Sequence, residues 1–95
     1  MYHLQVMTPE QIVFDDQVIA LIASGEQGYL GVLTDHAPLI TSLKAGVLII
    51  TDKSKIKLYY KASTGFLEVN HNKASIIVET IQTTEPVDIG THGGI

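Results

Sequence analysis

The sequence predicts an all-β domain, a two-sheet antiparallel β-sandwich of about ten strands with a short irregular C-terminal tail. Three observations carry that expectation. Short apolar segments recur from residue 1 to 82 at the intervals of a sandwich or barrel. The stretches between them (TPE, DD, GEQG, TDHAP, KAG, TDKSK and NHNK) are built from turn formers. No window of ten or more residues repeats its apolar positions at a helical period.

Taken in order, the candidate strands are YHLQVM (2–7), IVF (12–14), VIALIAS (18–24), YLGVL (29–33), LITSL (39–43), VLIIT (47–51), KIKLYYK (55–61), GFLEV (65–69) and KASIIVET (73–80). KIKLYYK alternates. Ile56, Leu58 and Tyr60 are expected inward, with Lys55, Lys57, Tyr59 and Lys61 facing water. VIALIA and VLII are apolar on both faces, so a sandwich core accounts for only one of them. Their second faces are either covered by flanking turns or offered to another protein. From Thr83 the chain reads TTEPVDIGTHGGI, with too few large apolar side chains to extend a core. The expected division is a domain over 1–82 and an extended or disordered tail over 83–95.

Composition narrows the function. With 95 residues, 45% of them hydrophobic, the chain is a single domain able to bury a core. Cysteine is absent, which removes disulfides and thiolate metal sites. The apolar runs fall far short of the ~20 residues that span a bilayer. The N-terminus lacks the basic and apolar regions of a secretory signal, so neither membrane crossing nor secretion is expected. Six lysines, no arginine and ten acidic residues give a net charge of −4. That balance argues against nucleic acid, whose recognition draws on phosphate neutralisation and arginine forks. The lysines at 53, 55, 57 and 61 are expected to keep an exposed strand soluble.

Chemistry finds no anchor. His3, His36, His71 and His92 are scattered, without the short spacing of metal-ligand sets. Asp15, Asp16 and Asp35 read as residues that bond nearby amides, not as a catalytic pair with opposed environments. GEQGYLG loosely echoes a phosphate loop, but no helix follows to supply amides, and its glycines at 25, 28 and 31 are expected to provide positive φ. No serine sits in a nucleophile-elbow context. No catalytic residue, metal or cofactor is therefore expected.

Three segments carry a family resemblance: YHLQVMTPEQIVFDDQV at the start, GEQGYLGVLTDHAPLITSLKAG in the middle, and GFLEVNHNKASIIVET near the end. In that order and spacing they resemble the N-terminal β-sandwich domain of the ε subunit of F-type ATP synthases, over about residues 2–82. The resemblance implies a non-catalytic rotor subunit that binds the γ subunit and sits on the c-ring. It would be peripheral to the cytoplasmic face of a bacterial inner membrane, or the stromal face of a thylakoid. The membrane would be reached only through the complex.

On that resemblance, Glu26, Gln27, Gly28 and Tyr29, with His36, Ala37 and Pro38, are expected to form one docking corner toward the c-ring. Pro38 fixes its own φ and restricts Ala37, which stiffens the corner. His36 either offers a ring nitrogen to a partner or satisfies carbonyls of its own loop. Thr8, Pro9 and Glu10, with Leu39, Thr41 and Leu43 on the strand after the corner, are expected toward γ. An acid at Leu39 would then weaken γ binding while leaving the sandwich folded. Two departures matter. Tyr29 stands where many members carry an acid, so a charged loop contact would shift to Glu26 or become a hydrogen bond and stack. The tail shows no helical repeat and no nucleotide motif, so neither inhibition by a helical hairpin nor ATP binding is expected. Self-association through a vacant γ face is plausible for the isolated chain. The alternative reading is a free-standing all-β module that binds a ligand or protein.

Overall fold

The computed structural model describes residues 1–89. Nine strands form: β1 (Tyr2–Met7), β2 (Ile12–Gly25), β3 (Gly28–Leu33), β4 (Leu39–Leu43), β5 (Gly46–Asp52), β6 (Lys57–Ala62), β7 (Gly65–Asn70), β8 (Lys73–Val78) and β9 (Ile81–Thr83). The all-β expectation holds. Two expected strands, IVF and VIALIAS, are the two halves of β2.

β2 organises the molecule. Its 14 residues would extend about 46 Å if straight at ~3.3 Å per residue. The domain measures only 28 × 27 × 27 Å, so β2 has to bend. It does so where its register on β5 slips between Val18 and Ala20. The extra residue reverses the side-chain phase, so that Val18, Leu21 and Ala23 all reach one core. The phase reversal is part of why VIALIA reads as apolar on both faces.

Before the bend, β2 pairs with β1, and the first sheet continues β1–β8–β7–β4. After it, β2 lies between β3 and β5, and the second sheet continues through β6 to β9. A single pairing, Gly25 with Leu43, joins β2 to β4 and closes the circuit. One ladder departs from the antiparallel expectation: β1 runs parallel to β8, with His3 opposite Lys73 and Met7 opposite Ile77.

The core follows the period-2 alternation of each strand. Tyr2, Leu4 and Val6 point in from β1, Leu67 and Val69 from β7, Leu48 and Ile50 from β5, and no polar or charged residue is fully buried among the described residues. Tyr2 keeps its hydroxyl at the edge of this apolar volume by donating to the Val32 carbonyl at 2.7 Å. Burial pushes its phenol pKa far above the ordinary value.

Local chemistry sets the turns. His71 and Asn72 both take positive φ in the two-residue loop joining β7 to β8, the geometry that matches strand twist. Asp52 Oδ1 accepts from the backbone N–H of Ser54 (2.8 Å) and Ile56 (2.9 Å), folding the loop before β6. That loop corrects the expected alternation of KIKLYYK. Lys55 adopts a φ of 68°, and Ile56 lies exposed ahead of β6. Leu58 and Tyr60 do pack on the core. Of the three glycines in GEQGYLG, only Gly28 has positive φ. Gly65 is required for another reason, since a Cβ there would lie 2.1 Å from the Ile77 carbonyl oxygen.

β9 is the one element with no counterpart among the expected strands. Ile81 to Thr83 pair with Ala62 to Tyr60, and Thr84 N–H donates to the Tyr59 carbonyl at 3.0 Å. The sheet thus runs to Thr83, and residues 84–89 hold no strand. His92 and the rest of the expected tail beyond Ile89 lie outside the described residues.

Two outcomes follow. Gly65→Ala should lower stability by about 3 kcal/mol, because the intruding Cβ meets backbone rather than a yielding side chain; a denaturant midpoint close to wild type would contradict the packing. Tyr2 has a raised folded pKa, so its contribution is complete below the unfolded value of about 10 and is lost as pH rises above it. Tyr2→Phe should cost about 1 kcal/mol at neutral pH and reduce the loss of stability above pH about 10, measured by thermal unfolding across pH.

Candidate docking surface

The outer face of the first sheet carries three large exposed apolar side chains on adjoining strands. On β4, Leu39, Thr41 and Leu43 sit opposite Val69, Leu67 and Gly65 of β7. Val69 and Leu67 are core residues, so the pleat sends Ile40 and Ser42 outward. On β7 the same phase exposes Phe66 and Glu68, and on β8 it exposes Ile77. Ile40 is 76% exposed, Phe66 62% and Ile77 52%. Phe66 is the cross-strand neighbour of both Ser42 and Ile77, and Met7 lies beside Ile77. These residues form a continuous apolar strip. At its foot is a groove of about 300 Å³ lined by Glu26, Ser42, Leu43, Thr64, Gly65, Phe66, Ile77, Val78 and Glu79.

Two turns belong to this end of the sheet. Thr8 to Gln11 follow directly on Met7, and Thr8 Oγ1 accepts from the N–H groups of Glu10 and Gln11, both at 3.3 Å. Thr8, Pro9 and Glu10 are thereby held beside the strip. The Glu26–Gln27 loop ends β2 at the Gly25–Leu43 pairing, and Ser42 Oγ donates to Glu26 Oε1 at 3.2 Å. Gly28 closes this loop, and Tyr29 stands half exposed on the other sheet's outer face, opposite Ser24.

The structure divides the expected docking corner. His36, Ala37 and Pro38 lie at the opposite end of the domain from Glu26–Tyr29, because β3 spans its six residues between them, about 20 Å. That far loop is tied to the β7–β8 turn: Asp35 N–H donates to Asn72 Oδ1 at 2.8 Å, and Asn72 Nδ2 donates to Asp35 Oδ1 at 3.0 Å. His36 Nδ1 donates to the Ala37 carbonyl at 2.7 Å, so the ring serves its own loop. The expectation for β4 also changes. Leu43 is buried and Leu39 packs on the core, so the face of β4 available to a partner is the opposite one, Ile40 and Ser42.

A second apolar face lies outside the second sheet. Ile22, Ile49 and Tyr59 form one cross-strand row, with Leu33 and Val47 in the adjoining rows and Lys57 and Lys61 at the margin. These are the second faces of VIALIA and VLII.

The charged groups form no reactive constellation. Among the described residues no group of three or more His, Asp or Glu is placed to hold a metal. His3 Nε2 bonds Asp15 Oδ1, and Lys53 Nζ pairs with Asp16 Oδ1 at 3.3 Å. The Gln17 backbone N–H, and then Lys53, hold the Asp16 carboxyl below its usual range. Asp15 and Asp16 therefore have separate partners. No helix among the described residues is long and apolar enough to cross a membrane.

Fold and surface together define a small two-sheet β-sandwich domain with an exposed apolar strip on one outer face. The chain belongs to the family described as the ATP synthase Delta/Epsilon chain β-sandwich domain, which residues 1–84 match. It is 39% identical over 89 residues to the ATP synthase epsilon chain of Protochlamydia amoebophila, covering 94% of this chain and 60% of that protein. The chain thus spans about 60% of that relative's length. A chain in the cryo-EM structure of the Euglena gracilis mitochondrial ATP synthase, OSCP/F1/c-ring, superposes with a TM-score of 0.82 at 24% identity, covering 90% of this chain and 54% of that one. One from the Tetrahymena thermophila mitochondrial ATP synthase central stalk and c-ring gives 0.71 at 17%, covering 84% and 64%. At those identities the likeness is one of fold.

Adjacent residues of β4 should respond oppositely to the same substitution. Leu39→Asp places a carboxylate against the core and should cost about 3 kcal/mol, whereas Ile40→Asp should stay within about 0.5 kcal/mol of wild type. Thermal melts of the two variants check this, and equal midpoints would reverse the inward and outward assignment.

Proposed function

We propose that this chain is a non-catalytic subunit of an F-type ATP synthase rotor, an epsilon-type element that docks on the γ subunit and the c-ring and couples ion flow to ATP synthesis. The observation that carries the reading is the Ile40–Phe66–Ile77 strip. It lies on a domain whose family takes its name from an ATP synthase chain. A stable heteromeric interface covers roughly 800 Å² on each partner. An exposed strip on a rigid sheet, flanked by an ordered turn, is suited to the centre of such a contact.

In this reading γ covers the outer face of the first sheet, with Ile40, Phe66 and Ile77 at its centre and the Thr8–Glu10 turn at its margin. The loop tip at Gln27, Gly28 and Tyr29 meets the c-ring, while Glu26, tied to Ser42, lies at the groove below the strip. His36, Ala37 and Pro38 brace the far end through Asp35 and Asn72. The chain binds no ATP and performs no chemistry. It is held at the membrane surface through the complex, on the side that carries the catalytic head.

Titration calorimetry of the chain against a matching γ subunit tests this. A one-to-one complex with a negative heat-capacity change is expected, as for an interface that buries apolar surface. Phe66→Asp should weaken it by about 2 kcal/mol or more while leaving the melting temperature near wild type. Absence of binding to folded γ would contradict the proposal.

A further inference from the structure

The groove at the foot of the apolar strip has a chemical asymmetry. Its lining combines apolar Leu43, Phe66, Ile77 and Val78 with two acidic residues, Glu26 and Glu79. Glu26 sits on the two-residue loop after β2 and is steadied by Ser42 Oγ at 3.2 Å. Glu79 follows β8, where its backbone N–H donates to Ser63 Oγ at 2.9 Å, as does that of Thr80 at 3.1 Å. Two separate elements thus bring acids to one small apolar depression.

No cation of the chain answers them among the described residues. Lys53 pairs with Asp16, and none of the six described lysines lines this groove. Lys44 is at the same end but lines the neighbouring hollow with Tyr29 and Gly46. We propose that the groove receives a basic side chain, lysine or arginine, from an amphipathic segment of the partner protein whose apolar side chains cover Phe66 and Ile77. The inference rests on the proposed docking function and specifies the chemistry of what docks there.

Size and charge both favour that occupant. A space of about 300 Å³ is at the lower limit for a small-molecule pocket, and this one is open to solvent along the strip. It suits one long side chain laid along the apolar lining with its head toward the acidic residues. A second copy of this chain is disfavoured. A two-fold contact through this face pairs the same patch on both copies, and the groove lining of that patch carries Glu26 and Glu79 with no lysine to answer them. The chain also has no arginine to offer.

The test compares the wild-type chain with E26Q/E79Q and with F66D, each titrated against the γ subunit at several salt concentrations. Glutamine keeps an oxygen to accept from Ser42, and Glu79's hydrogen bond to Ser63 uses its backbone, so E26Q/E79Q should melt as wild type does. It should bind about tenfold more weakly at low salt, chiefly through a slower association rate, and its affinity should depend less steeply on salt. If F66D abolishes binding while E26Q/E79Q binds with wild-type affinity and salt dependence, the basic side chain is overturned and the docking function stands. If γ does not bind the wild-type chain, both fall. If the wild-type chain dimerises through this face, detected as F66D-sensitive self-association in sedimentation, a second copy is the occupant and the inference is overturned.

Discussion

The constraint on which the rest depends is the length of β2. Fourteen consecutive strand residues do not fit straight inside a body 28 Å across, so the strand bends near Ile19 and serves both sheets. The two sheets are therefore not merely packed through side chains. They share one covalent strand, and the Gly25–Leu43 pairing returns it to the first sheet. A sandwich held only by apolar contact could shear between layers. Here the layers are joined along the backbone at the corner and pinned at the rim by the Tyr2 hydroxyl on Val32.

That rigidity gives the outer faces their meaning. With the core satisfied by the inward residues of both sheets, Ile40, Phe66 and Ile77 have no role inside the fold. Phe66 and Ile77 are direct cross-strand partners and Ile40 is the diagonal neighbour of Phe66 on the adjoining strand, so they form a surface rather than scattered apolar points. The outer row of the second sheet, Ile22, Ile49 and Tyr59, is mostly covered, with Ile49 only 6% exposed and lysines at its margin, whereas the first sheet leaves Phe66 and Ile77 open above acidic residues at its foot. The two faces differ in exposure and in the charge at their margins.

Much of this was legible in the sequence. Turn residues marked nearly every strand end, and alternation in LYY (58–60) put Leu58 and Tyr60 on the core side, where they pack. The second faces of VIALIA and VLII were visible as an apolar surplus. Three features were not legible, each for a physical reason. Asp15, Asp16 and Gln17 read as a break, yet paired with β1 they continue a single strand, because ladder hydrogen bonds outweigh weak local preference. The parallel β1–β8 ladder joins segments some 70 residues apart, which no local pattern encodes. β9 is short and exposed, and exists only because β6 offers it an edge. In the docking surface, LITSL was assigned the wrong outward face, since Leu39 and Leu43 look as suitable for a partner as for a core. Glu68 could have decided the matter: an acid between Leu67 and Val69 fixes Phe66 outward, and Ile40 and Ser42 with it. The separation of His36 from Glu26 follows from the length of β3, which was already written in YLGVL.

The central claim is that both sheets form one mechanical unit through β2. Native-state hydrogen exchange over β1, β2, β5 and β7 tests it most directly. Amides on both sides of the bend, in Leu4, Leu21, Ile50 and Leu67, should exchange through one opening with the same free energy and the same denaturant dependence. Protection of one sheet that persists after the other has opened would show that the strand does not join them, and would contradict the account.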